Sequence, residues 1–187
     1  FDDHKLQGML HLKVVRSAHP HARLRRIDTS EAERSQGVRR VIRASDVPRN
    51  LNTLLSLINF GKDDEPSLAV DKVRYKGEPI VAIVADSPRE ADEAIAKVKI
   101  DYEVLPAVFD VEEALKPGAP VVWPEAPDNI VAAMSYGDAA KVEAAFASAA
   151  HKVSLDLISQ RLVPSAMEPR STIAEIEKKT GRLILHV

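Results

Sequence analysis

The sequence predicts an α+β fold, in which strands and short helices interleave without a strict strand–helix alternation. Two observations carry this. Residues 68–102 (LAVDKVRYKGEPIVAIVADSPREADEAIAKVKIDY) read in order as strand, tight turn, buried strand, capped helix and strand. The strand pairs within 9–27 and 171–187 look antiparallel, which a purely alternating βα pattern would not give.

Met9 to Ser17 alternates loosely and reads as a strand, Ala18-His19-Pro20 as a turn, and Ala22 to Ile27 as a second strand. Pro20 drives the turn, because it pushes its predecessor out of the helical region. Ser30 and Glu33 form an expected capping box opening a short helix that Gly37 ends. Val38 to Arg43 reads as a strand with basic residues on its open face, and Ser45 to Val47 as a turn. Residues 49–66 lack periodicity and read as a long loop.

Lys76-Gly77-Glu78-Pro79 is a turn, since Gly takes positive φ cheaply and Pro fixes φ. Ile80 to Ala85 (IVAIVA) is a continuous apolar run, the mark of a strand covered on both faces. Ser87 then caps a helix, Pro88 takes its first position and Glu90 completes a capping box. Ala91, Ala94, Ile95 and Val98 form a narrow stripe that lets this helix lie close on a sheet. Val98 to Val104 is a strand and Asp110 to Leu115 a short helix stopped by Pro117-Gly118. Four prolines between 117 and 127 make the stretch 116–130 the best boundary. Beyond it, Asp138 caps a helix, His151 to Val163 alternates as a long strand, and Pro164 to Arg170 is a bend. Thr172 to Ile176 and Leu183 to Val187 form a hairpin with Gly181 in its turn.

The 187 residues carry 45% hydrophobic and 29% charged side chains, ordinary for a globular chain able to bury a core. A net charge of −2 argues against nucleic acid as the main partner. The absence of cysteine excludes disulfides and thiolate-held metal or iron–sulfur sites in these residues. No apolar run is long enough to span a bilayer. The chain starts without Met and stops inside an apolar extended run, so it is expected to be a piece of a longer polypeptide or a clipped product held in a complex.

Candidate chemistry is sparse. His19 and His21 are two possible ligands without a third at a recognisable spacing, so a turn-shaping role is favoured. Asp63, Asp64 and Glu65 would support a hydrolase only if loop acids did acid–base work, and adjacent loop acids are usually solvated. Arg39, Arg40 and Arg43 form a small basic edge, read as a solvated strand face or a contact surface. No phosphate-binding glycine motif occurs. The stretch 160–170 (QRLVPSAMEPR) places Gln160, Arg161, Glu168 and Arg170 around two prolines, which suits an interdomain wall or a pocket rim as well as a salt-bridged loop.

Five segments in order give a more specific reading: Phe1 to Asp3 with Leu6 to His11, Val15 to Ala22, Ala69 to Pro79, Asp101 to Val108, and Met167 to Arg170. Together they resemble the molybdenum-binding large subunit of the xanthine dehydrogenase, aldehyde oxidase and carbon monoxide dehydrogenase family. Gln7 departs from a common Pro, and Ala18-His19-Pro20 varies the usual turn.

The resemblance implies an α/β hammerhead domain over residues 1–130, followed over 131–187 by the first strands of a molybdopterin-binding domain. It implies an oxidoreductase that hydroxylates an aldehyde, purine or N-heterocycle with oxygen from water, and a structural role here, packing on the molybdenum domain and walling the substrate funnel. The molybdenum–molybdopterin cofactor would belong to the complete enzyme, with iron–sulfur clusters and FAD on other domains or subunits. The partners would be those and the remainder of the large subunit, with neither nucleic acid nor membrane. The cytoplasm is the expected location, with the periplasm left open. The family's catalytic residues would lie beyond Val187, so none is carried over, and these residues alone are expected to be inactive. Gln160, Glu168 and Arg170 are expected near the active-site side. The alternative is a standalone non-catalytic subunit or interaction module of the same fold.

Overall fold

The computed structural model describes residues 4–52, 65–130, 132–160, 162–168 and 170–187. The chain divides into two compact units, Gly8–Met134 and Ser135–Val187 with Phe1–Gln7.

In the first unit, β5 (Pro79–Ala85) is the centre of a three-stranded antiparallel sheet, flanked by β1 (His11–Arg16) and β3 (Val38–Ile42). Ile80, Val81, Ala82, Ile83 and Ala85 are buried, as the unbroken apolar run requires of a strand covered on both faces. Helix α2 (Pro88–Ile95) packs on β1 and β5 through Ala91 and Ala94, both fully buried. Their small side chains set the close approach. The Ser87 hydroxyl accepts the Glu90 N–H, and Pro88 begins the helix. The return arm of the expected capping box differs: the Glu90 carboxylate accepts the Ser87 hydroxyl at 2.8 Å.

A second antiparallel sheet has β2 (Ala22–Asp28) between β4 (Lys72–Val73) and β6 (Lys99–Val104). Thus β1 and β2 do not pair with each other as their proximity in sequence suggests. The intervening turn is folded on itself, with the Ser17 hydroxyl both donating to the His19 carbonyl and accepting the His19 N–H. β5 then takes the edge of β1. Thr29 occupies the N-cap position of helix α1 (Ser30–Glu33) without a side-chain capping bond, and the expected Ser30–Glu33 box does not form. Asp28 captures the Ser30 N–H and hydroxyl, while Thr29 donates to Glu33. A short polar residue one position earlier competes successfully for the same end. A single 3-10 turn covers Ala44–Asp46, and α3 (Val111–Ala114) is capped by the Asp110 carboxylate. Most of the loop read over 49–66, with Asp63 and Asp64, lies outside the described residues.

In the second unit, α4 (Ala139–Ser148) is capped by Asp138, and β7 (Ile173–Ile176) pairs antiparallel with β8 (Leu183–His186). Gly181 turns the hairpin at φ 72°. The strand expected over 151–163 is not observed among the described residues. Alternation specifies the faces of a strand, but only a hydrogen-bonding neighbour makes one, and this stretch has none. Its apolar side chains are exposed, Val153 at 91% and Ile158 at 96%.

Candidate functional site

Gln160 and Arg170 lie in irregular backbone and Glu168 in a bend, and all three are exposed within the second unit. Their neighbours Arg161 and Pro169 lie outside the described residues. Among the described residues there is no cluster of three metal-ligating side chains. An open cleft of about 490 Å³ in the first unit is lined by Ser35, Gln36, Ser87, Arg89, Glu90, Glu93 and Lys97. Its charges satisfy one another, with Lys97 donating to Ser35 and Arg89 to Glu93.

The histidine pair shapes the turn. His21 is buried and its Nδ1–H donates to the Pro106 carbonyl at 2.6 Å, while the Leu105 N–H donates to the His21 carbonyl. The His19 ring meets the edge of Tyr102 at 4.8 Å between centroids. The basic edge is largely neutralised inside the unit. Arg39 makes a two-pronged pair with Asp86 at 2.7 Å, Arg43 pairs with Glu33, and Arg40 is exposed.

The most constrained polar cluster surrounds Glu78. Its side chain is 2% exposed, its carboxylate accepts the Arg74 N–H, and the Arg74 guanidinium stands 3.7 Å away. Burial pushes the Glu78 carboxyl above its ordinary value, against the pull of Arg74. Arg74 is itself nearly buried. It donates to the Lys72 carbonyl at 3.0 Å and lies over the Trp123 ring at 3.8 Å. The Lys72 ammonium donates to the Val122 carbonyl at 2.6 Å and is lowered by burial and by Arg74. Each charged group of this cluster is spent on a neighbour, Glu78 on Arg74, Arg74 on Trp123 and the Lys72 carbonyl, and Lys72 on the Val122 carbonyl, so the cluster holds structure. Sequence reasoning missed Lys72, Arg74 and Trp123; the one available signal was the chain's single Trp, placed within the Pro-rich stretch.

Residues 1–106 match the aldehyde oxidase and xanthine dehydrogenase, a/b hammerhead domain. The chain belongs to this family. Residues 122–187 match the molybdopterin cofactor-binding domain. Among curated relatives, subunit gamma of the 6-hydroxypseudooxynicotine dehydrogenase complex of Paenarthrobacter nicotinovorans is 35% identical, over 95% of this chain and 23% of that protein. The carbon monoxide dehydrogenase large chain of Afipia carboxidovorans is also 35% identical, over 98% of this chain and 24% of that protein. The solved quinoline 2-oxidoreductase of Pseudomonas putida 86 superposes with a TM-score of 0.83 at 32% identity, over 98% of this chain and 24% of that one. The chain thus spans about a quarter of the length of the curated relatives it matches. These relatives are large chains or subunits of oxidoreductase complexes, the class the ordered segments implied. Among the described residues, no helix is long and apolar enough to cross a membrane.

Proposed function

We propose that this chain is the hammerhead-bearing portion of a molybdenum hydroxylase large subunit, which hydroxylates an aldehyde, a purine or an N-heterocycle with oxygen from water. The observation that carries this is the colinear match of a hammerhead and a molybdopterin cofactor-binding stretch within one chain. When bound in the complete enzyme, the molybdenum cofactor supplies the oxidising centre, and iron–sulfur and FAD domains or subunits take the electrons onward. The residues described here act by packing. Val153, Leu155, Leu157, Ile158, Leu162 and Val163 present an apolar surface that the remainder of the large subunit covers. Gln160, Glu168 and Arg170 then line the active-site side, the Gln160 amide and the Glu168 and Arg170 charges orienting a polar substrate at the funnel wall.

The test uses the native enzyme with an artificial electron acceptor, a panel of aldehydes, purines and N-heterocycles, and oxygen-18 water. Oxidation with label in the product is expected. Turnover of none of the three classes, or label derived only from dioxygen, overturns the reading. In the same assay Arg170→Ala and Glu168→Gln should each lower kcat/KM roughly tenfold, the scale of a lost hydrogen bond to a charged group. Unchanged kinetics in both variants remove these residues from the funnel wall.

A further inference from the structure

The stretch between the two family matches has the composition of a linker, yet it is hydrogen-bonded like a folded element. Asn129 is the key. It takes the left-handed conformation, φ 58°, which is uncommon for a residue other than glycine. Its side chain is spent entirely on backbone groups from three separate places. Oδ1 accepts the Val122 N–H at 3.2 Å; Nδ2 donates to the Ala114 carbonyl at 3.0 Å and to the Pro120 carbonyl at 3.1 Å. The Asn129 N–H donates to the Ala126 carbonyl and the Ala126 N–H to the Trp123 carbonyl. One residue therefore ties the end of α3, Pro120 and the bend at Val122 into a closed loop.

That loop is gripped from the sheet side by two cations. Lys72 holds the Val122 carbonyl at 2.6 Å, and Arg74 lies flat on Trp123 at 3.8 Å. Arg74 is in turn fixed from behind by the Lys72 carbonyl and by buried Glu78. The gripping residues belong to the hammerhead match, while Val122 and Trp123 open the cofactor-binding match. Proline at 117, 120, 124 and 127 lowers the entropy lost on ordering the strap.

We propose that residues 114–130 are a preformed strap, locked by Asn129 and by the Lys72–Arg74 grip, which fixes the first residues of the cofactor-binding stretch to the hammerhead. The passage from one match to the other thus runs through an ordered loop held within the unit Gly8–Met134. This follows from the geometry of the strap and does not depend on the reaction catalysed.

Hydrogen exchange of the full-length native large subunit reads it directly. The Val122, Ala126 and Asn129 amides should exchange at least tenfold more slowly than in an unstructured peptide. Asn129→Ala should abolish that protection across the strap while leaving β5 protected. Asn129→Gly keeps the left-handed backbone accessible but removes the side-chain bonds, so it should lose the same protection and serves where the alanine variant fails to fold. Arg74→Lys keeps the charge without the planar stack and should loosen residues 122–126 first. Exchange of the wild-type strap at unstructured rates overturns the proposal, as does full protection in Asn129→Gly. Neither outcome bears on whether the enzyme hydroxylates its substrate.

Discussion

Glu78 shows how far a single residue can be read. As part of Gly77-Glu78-Pro79 it is legible as a turn, and Gly77 indeed sits at φ 94°, with its N–H donating to the Ser17 carbonyl. Its burial and its pairing with Arg74 are set by tertiary packing, which no local pattern encodes. The burial has a pH signature. Because the folded state holds the Glu78 proton to a higher pH than the unfolded chain does, this group's stabilisation is complete below the ordinary glutamate value, about 4.3, and is lost as pH rises through the raised value. In urea denaturation of the unit Gly8–Met134, Glu78→Gln should flatten that decline over the pH window that opens above the ordinary glutamate value of about 4.3. A wild-type unit that gains stability relative to the variant over the same window would contradict the assignment.

At the scale of the element, β5 and α2 were the most legible parts, because run length, turn residues and capping residues all agree. Their energetics follow from the same residues. Ile83 is fully buried at the centre of the three-stranded sheet, so Ile83→Ala should cost about 2–5 kcal/mol. Ser87→Ala removes an N-cap whose hydroxyl accepts the Glu90 N–H and should cost about 1 kcal/mol. Chemical denaturation of the same unit measures both, and a loss at Ser87 equal to or greater than that at Ile83 would contradict this ranking. The elements that sequence reading misplaced share one cause. The alternation of 151–163 and the adjacency of β1 and β2 are local facts, whereas strand partners are chosen by the whole chain. Val153, Leu155 and Leu157 keep the period of a strand and remain exposed, with no strand assigned to them.

At the scale of the molecule, the chain's chemistry lies in what it supports. Composition and spacing could say only that no nucleophile, metal set or phosphate cradle was present, and the ordered segments supplied the family. The candidate residues Gln160, Glu168 and Arg170 were legible as a charged bend between prolines. Nothing local to these residues assigns them a role, and the one proposed for them rests on the family match. Residues 122–187 match a molybdopterin cofactor-binding domain, and the chain spans about a quarter of its curated relatives, so the central claim concerns the complete large subunit. The direct measurement is the metal content of the native polypeptide that carries this sequence, purified to homogeneity and identified by mass. About one molybdenum per large subunit, released together with a pterin on denaturation, is the predicted result. A native polypeptide of full relative length that carries neither molybdenum nor pterin would contradict the account.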